Sequence, residues 1–120
     1  MGPVVLDASV AIGFLDSGDV HHERAVTELR AARGAPLSMA ASAYSEILVR
    51  PLASGHGDRV EAFVDGLSVE IVPIDREVGL RAAELRAQHT ALRLPDALVL
   101  AIARLRGARL LTFDERLAQL

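Results

Sequence analysis

Four acids stand out because of what surrounds them. Asp7 follows the apolar run Val4-Val5-Leu6, and Asp96 follows Pro95 at the head of an apolar stretch. Asp114 comes just past Leu110-Leu111, and Glu46 interrupts a mostly apolar segment between Ser45 and Ile47. Carboxylates gathered in one place repel, and one or more of them takes a raised pKa. A divalent cation removes that conflict. Mg²⁺ prefers hard oxygen ligands, typically one or two carboxylates with several retained waters. Beside a phosphate, such an ion polarises the phosphoryl oxygen, activates a water and stabilises the leaving oxygen.

Each acid also has a plainer reading. Asp7 caps a helix starting at Ala8, and Asp114 caps a turn starting at Glu115. Asp96 complements a helix macrodipole, and Glu46 is a solvated residue on a half-exposed helix. What favours chemistry over these readings is convergence, since ligands of an open parallel sheet bind beyond the carboxyl ends of its strands.

The rest of the composition narrows the chemistry. The chain has 120 residues, enough for one domain over 1–120, and a net charge of −3, which excludes a generally basic coat protein for nucleic acid. It has no cysteine, which removes disulfides, zinc thiolate sites and thiol nucleophiles. It has no lysine either, which removes the P-loop lysine, Schiff bases and the receiver-type phosphoacceptor site. Its arginines remain able to clamp phosphates bidentately. Half the residues are apolar, yet no run of about 18 of them lacks a charge, so no membrane span is expected. The first seven residues carry no basic n-region, and Leu6 stands where myristoylation favours Ser or Thr. The expected setting is the cytoplasm.

The elements that must position the acids alternate strand with helix. Val4 to Leu6 is a strand buried on both faces, followed by a helix over Ala8 to Leu15. A helix over His21 to Arg33, an extended piece over Leu37 to Met39 and a helix from about Ser42 come next. The last of these carries the stripe Tyr44, Leu48 and Leu52, with Pro51 expected to kink or end it. Asp58 to Leu67 is an amphipathic helix, Val69 to Ile74 a strand, and Arg76 to Gln88 a helix with Val78, Ala82 and Leu85 inward. Pro95 opens a helix that is apolar nearly all round and must be buried. Gly107 stops it, Arg109 to Thr112 is the last strand, and Asp114 begins a final turn. The pattern predicts an α/β fold, a short parallel sheet between helices.

With these segments in view, the sequence resembles the PIN domains, in particular the VapC-type toxins of bacterial toxin–antitoxin pairs. The matching segments are Val4-Val5-Leu6-Asp7-Ala8-Ser9, Ser45-Glu46-Ile47-Leu48-Val49, Leu94-Pro95-Asp96-Ala97-Leu98 and Leu110-Leu111-Thr112-Phe113-Asp114, in the family's order and spacing. The resemblance implies Asp7, Glu46, Asp96 and Asp114 as an acidic quartet around Mg²⁺ or Mn²⁺. It implies Asp7 and Asp96 as the leading direct ligands and Asp114 as a further one. Glu46 and Asp114 would act through waters or a second ion and position the attacking water. Ser9 and Thr112 match hydroxyl positions that orient the carboxylates. The implied activity is hydrolysis of RNA phosphodiesters by a homodimer silenced by a VapB-type antitoxin. A housekeeping PIN nuclease of RNA processing, or a catalytically silent PIN module that binds protein, are the alternatives within the same fold. One departure is the end of the chain. Family members usually continue past the last helix into a short final strand, whereas this sequence stops at Leu120, so that either the sheet lacks that edge strand or the chain is trimmed.

Other signals carry less. His21 and His22 are adjacent, and neighbouring helical positions point about 100° apart, so they do not chelate well together. His56 and His89 have no partner in the sequence. Arg76, Arg81, Arg86 and Arg93 read as a solvated face, with Glu77 and Glu84 interleaved, although some arginine near the acids must hold RNA phosphates. Tyr44, Phe14, Phe63 and Phe113 are too few for base stacking to supply most of the affinity.

Overall fold

The computed structural model describes residues 2–120. Its centre is β1 (Val4–Leu6), three apolar residues without a polar break, all buried. Such a run suits a strand covered on both faces. It pairs with β2 (Leu37–Ala40) on one side and β4 (Arg109–Leu111) on the other, and β3 (Glu70–Val72) extends the sheet beyond β2. All three pairings are parallel, with Val5 opposite Ser38 and Leu110, and Met39 opposite Ile71. The edge strands β3 and β4 bury only their last residues fully, as edges do. Among the described residues β4 is the outer strand on that side of the sheet.

Parallel strands need long crossovers, and helices supply them. Between β1 and β2 run α1 (Ala8–Leu15) and α2 (His22–Ala31). Between β2 and β3 run α3 (Ala41–Ala53) and α4 (Gly57–Gly66), and between β3 and β4 run α5 (Arg76–Gln88) and α6 (Leu94–Leu105). The short α7 (Glu115–Ala118) closes the described chain. The core gathers on the sheet, with Val4, Val5, Leu6, Val10, Met39, Val60 and Ile102 almost entirely removed from water. Each such side chain contributes roughly 1.5–3 kcal/mol of burial. α6 buries Ala97, Val99 and the run Leu100 to Ala103, as its apolar circumference requires. α2 lies close to α1 at Gly13, where a Cβ would sit 3.3 Å from Ala25 Cβ. Among the described residues, no helix is long and apolar enough to cross a membrane.

Several boundaries differ from the sequence expectations. The buried stripe of α3 is Ala43 and Ile47, whereas Tyr44 and Leu48 are half-buried and Leu52 is 63% exposed. The face of α3 turned to the core thus carries the small Ala43, and the larger Tyr44 and Leu52 lie off it. Pro51 does not end α3, which runs two residues further to Ala53. The end is made by Gly55, at φ 77, with His56 N–H donating to Pro51 O at 2.7 Å and Gly55 N–H to Leu52 O. That pairing is the Schellman arrangement, which satisfies the last carbonyls. Proline removes one N–H bond, but in the last turn the loss is small. α6 starts at Leu94 rather than Pro95, because proline fits the first turn, where its missing N–H is not needed. α2 spans His22–Ala31 and β3 only Glu70–Val72, both shorter than the apolar patterns around them.

Candidate active site

The carboxyl ends of β1 and β4 lie side by side, with Leu6 opposite Leu111. The chain leaves each strand through an acid or a hydroxyl. Asp7 is the N-cap residue of α1, in extended conformation, but its side chain makes no cap bond. Its Oδ2 instead accepts from Ser9 Oγ at 2.9 Å and from Thr112 Oγ1 at 2.7 Å. Both hydroxyls are held in turn. Ser9 Oγ accepts from Phe113 N–H at 3.2 Å, and Thr112 Oγ1 accepts from Asp114 N–H at 3.1 Å. Asp7 N–H donates to Leu111 O at 2.9 Å. A carboxylate only 8% exposed is thus clamped between two strand ends by a closed ring of hydrogen bonds. This is charge-assisted bonding, stronger than its neutral counterpart.

Around Asp7 stand the other acids. Asp96 lies in the first turn of α6 and is half-buried. Desolvation, then the Asp7 charge, push its pKa up, while Arg93 pulls down and Asp114 adds a smaller push. Glu46, on α3, is raised by desolvation first and then by Asp7 and Asp96, against a smaller downward pull from Arg93. These mutual effects place the four acids in one electrostatic neighbourhood, although they come from α1, α3, α6 and α7. Asp114 differs from Asp7 in how its side chain is used. Its Oδ1 accepts from Arg116 N–H at 3.0 Å and Leu117 N–H at 3.1 Å, so it caps α7, as the plainer sequence reading has it.

Among the described residues, no three His, Asp or Glu side chains stand together in ligating positions. Asp7 is turned to its hydroxyl partners and Asp114 to the α7 cap. The donor set still fits a hard divalent cation, because Asp7 bonds two hydroxyls and interacts with the carboxylates of Glu46 and Asp96, all oxygen donors. Glu46 and Asp96 are raised by desolvation first and by neighbouring carboxylates second, and such a cation would offset the second of these. An ion that retains several waters needs only one or two direct carboxylates.

The histidines stay outside this group. His22 Nδ1 donates to Gly13 O at 2.8 Å, and His56 meets Ser54 Oγ at 3.2 Å. His89 ends α5. His21 packs against Phe113, with ring centroids 5.0 Å apart, and Arg24 lies over the same ring. Of the arginines on the α5–α6 stretch, Arg81 pairs with Glu84 and Arg86 Nε donates to Leu92 O. Arg93 is the one whose proximity to the acids the sequence reading passed over, with Nε 3.8 Å from Asp96 Oδ2. The available signal was its spacing, three residues before Asp96 at a helix start. Also unforeseen is a groove of about 580 Å³ between α1, α3 and α4. Its floor includes Ile12, Leu15, Ile47 and Val60, and Glu46 stands at its lip.

Comparison with known proteins gives the same architecture. The family model for the PIN domain matches residues 4–120. No curated protein sequence matches the chain. The crystal structure of VapC20 from Mycobacterium tuberculosis, a sarcin-ricin loop-cleaving toxin, superposes with a TM-score of 0.80 at 17% identity, covering 97% of this chain and 93% of that one. A toxin–antitoxin complex from Klebsiella pneumoniae gives a TM-score of 0.77 at 25% identity, covering 91% and 84%. VapBC2 from Rickettsia felis, bound to a DNA fragment from its promoter, gives 0.79 at 12% identity, covering 98% and 92%. With the family model spanning all but the first residues, and with strand ends that bring Asp7, Thr112 and Asp114 together, the chain belongs to the PIN domain family.

Proposed function

We propose that the protein is a metal-dependent endoribonuclease, with Asp7, Glu46, Asp96 and Asp114 as its catalytic acids, acting as the toxin of a VapBC-type pair. The observation that carries this reading is Asp7. A buried carboxylate is tied to two hydroxyls at the junction of two parallel strands, and further acids lie within its field, so negative charge is concentrated at that one strand end. Repulsion among these groups costs stability, and placing a cation there offsets the cost.

In this reading Asp7 and Asp96 would hold Mg²⁺ or Mn²⁺ directly, and Asp114 would assist through Oδ2, the oxygen its cap bonds leave free. Such an ion would supply polarisation of the phosphate and a more acidic water. Ser9 and Thr112 keep Asp7 Oδ2 fixed and leave Oδ1 outside those bonds. Glu46, whose carboxyl is raised above the usual range, orients the attacking water through its carboxylate oxygens and takes up its proton. No histidine, lysine or cysteine is needed.

The partners are assigned from the resemblance, with support for one of them from the structural neighbours. RNA supplies the phosphodiester, and a homodimer is the assembly we assign. Several structural neighbours are toxin–antitoxin complexes, which supports an antitoxin for this chain. The apolar groove ending at Glu46 suits an apolar antitoxin segment, with Ile12 40% and Val49 65% exposed along it. The protein would act in the cytoplasm, as one PIN domain over 1–120.

The test is sequencing of RNA 5′ ends in cells after induced expression, wild type beside Asp96→Asn. Discrete new ends that appear only with wild type are expected. Purified Asp7→Asn and Asp96→Asn should retain the fold by circular dichroism and lose Mg²⁺-dependent cleavage by at least about a hundredfold, the scale of a lost charge-stabilising group. Undiminished cleavage by either would refute the assigned site.

A further inference from the structure

Arg93 occupies a position that stability does not recommend. It is the N-cap residue of α6, and its side chain makes no cap bond. Ser, Thr, Asp and Asn are the residues that satisfy free N–H groups there, and a cation meets the positive end of the helix dipole. Its salt bridge is also weak in form. A single Nε approaches Asp96 Oδ2 at 3.8 Å, and the Arg93 side chain is 79% exposed. A solvated pair of this geometry adds little to folding. Arg106, by contrast, makes a bidentate pair with Glu70 at 2.8 and 2.7 Å.

The backbone that carries Arg93 is nonetheless held firmly. Leu92 is buried, its N–H donates to His89 O at 2.9 Å, and its carbonyl accepts from Arg86 Nε at 3.1 Å. On the other side, Ala97 N–H donates to Arg93 O at 2.9 Å, and Pro95 stiffens the first turn. A firmly held stem therefore presents an exposed guanidinium beside Asp96. Among the groups that act on Glu46 and Asp96, Arg93 is the only cation, and it offsets the charge of both.

We propose that Arg93 is the phosphate-holding residue of this site, resting against Asp96 in the free protein and transferring to non-bridging phosphate oxygens of RNA when substrate enters. This inference rests on the ribonuclease reading above. The guanidinium is planar and matches two phosphate oxygens at once, a better partner than the single carboxylate oxygen it leaves.

The experiment compares wild type, Arg93→Ser, Arg93→Lys and Asp96→Asn. Deproteinised total RNA is the probe, with Mg²⁺ and a series of salt concentrations, and melting is followed in EDTA. Arg93→Ser should raise KM roughly tenfold with kcat changed less than about threefold, the range of one charge-assisted contact made equally in ground and transition states. The salt dependence of KM should lose about one unit of slope, because one phosphate contact is gone. Melting temperature should hold or rise, since serine caps α6 where arginine does not. Arg93→Lys should recover part of the affinity. Unchanged KM and salt slope in Arg93→Ser, beside an inactive Asp96→Asn, would overturn the inference and leave the ribonuclease reading standing. A fall in melting temperature with a matching fall in kcat would overturn it in favour of a purely structural role. Wild-type protein that neither binds nor cleaves RNA would overturn both.

Discussion

At the scale of single residues, two carboxyls with raised pKa values have a consequence for stability. Glu46 and Asp96 bind protons more readily in the folded chain than in the unfolded one. Their contribution to stability is therefore best at acid pH, below the ordinary carboxylate values. It is lost as pH rises through the range between those values and the raised ones. Neutralising either removes that loss. Glu46→Gln and Asp96→Asn, melted in EDTA at neutral pH, should each unfold at a higher temperature than wild type, with the gain shrinking toward pH 4. A melting temperature lowered at neutral pH would contradict the assigned repulsion.

At the scale of elements, three helix ends use the same device with different residues. α3 ends at Gly55 (φ 77) and α6 at Gly107 (φ 58), whereas α4 ends at Ser68 (φ 51), with Val69 N–H donating to Val64 O. A left-handed residue with a Cβ costs about 1–2 kcal/mol, and glycine returns part of that as chain entropy. Ser68→Gly should stabilise the protein by up to about 1 kcal/mol in urea unfolding, without effect on cleavage. The expected helix over Asp58 to Leu67 lay within one residue of the observed α4 at each end. Its stop at a serine carried no signal in the sequence, since the left-handed turn there is imposed by the entry into β3. α5 was legible because Val78, Ala82 and Leu85 keep one helical face, and all three are buried. The stripe of α3 was misread because residue size suggested Tyr44 and Leu48 as the core. The buried face is instead that of the smaller Ala43 together with Ile47.

At the scale of the whole molecule, the acids bring the two ends of the chain together. Asp7 belongs to the first helix and Asp114 to the last, and Thr112 bonds Asp7 across 105 residues of sequence. An ion held there would bind only the folded state and stabilise it by mass action, by about 2.7 kcal/mol at a hundred times its dissociation constant. Mg²⁺ or Mn²⁺ should raise the melting temperature of wild type, and Asp7→Asn should weaken or abolish that rise. A melting temperature indifferent to both ions would argue against a metal at this site.

The sequence alone determined which acids follow strands and which opens a buried helix, because strand and helix patterns are local and Asp7, Asp96 and Asp114 sit at their boundaries. It also limited the chemistry, since a chain without lysine or cysteine has few other routes to hydrolysis. The tertiary structure alone decided how each acid is used. Asp7 is not a cap because Thr112, from the neighbouring strand, takes its oxygen, while Asp114 is a cap because its own turn offers two N–H groups. Glu46 joins the cluster only through the packing of α3, which no local pattern encodes. Arg93 reads as a surface charge until the helix start beside it is seen to face three other acids. Such pairings depend on contacts between residues far apart in sequence, and those exist only once the sheet has brought the strand ends side by side.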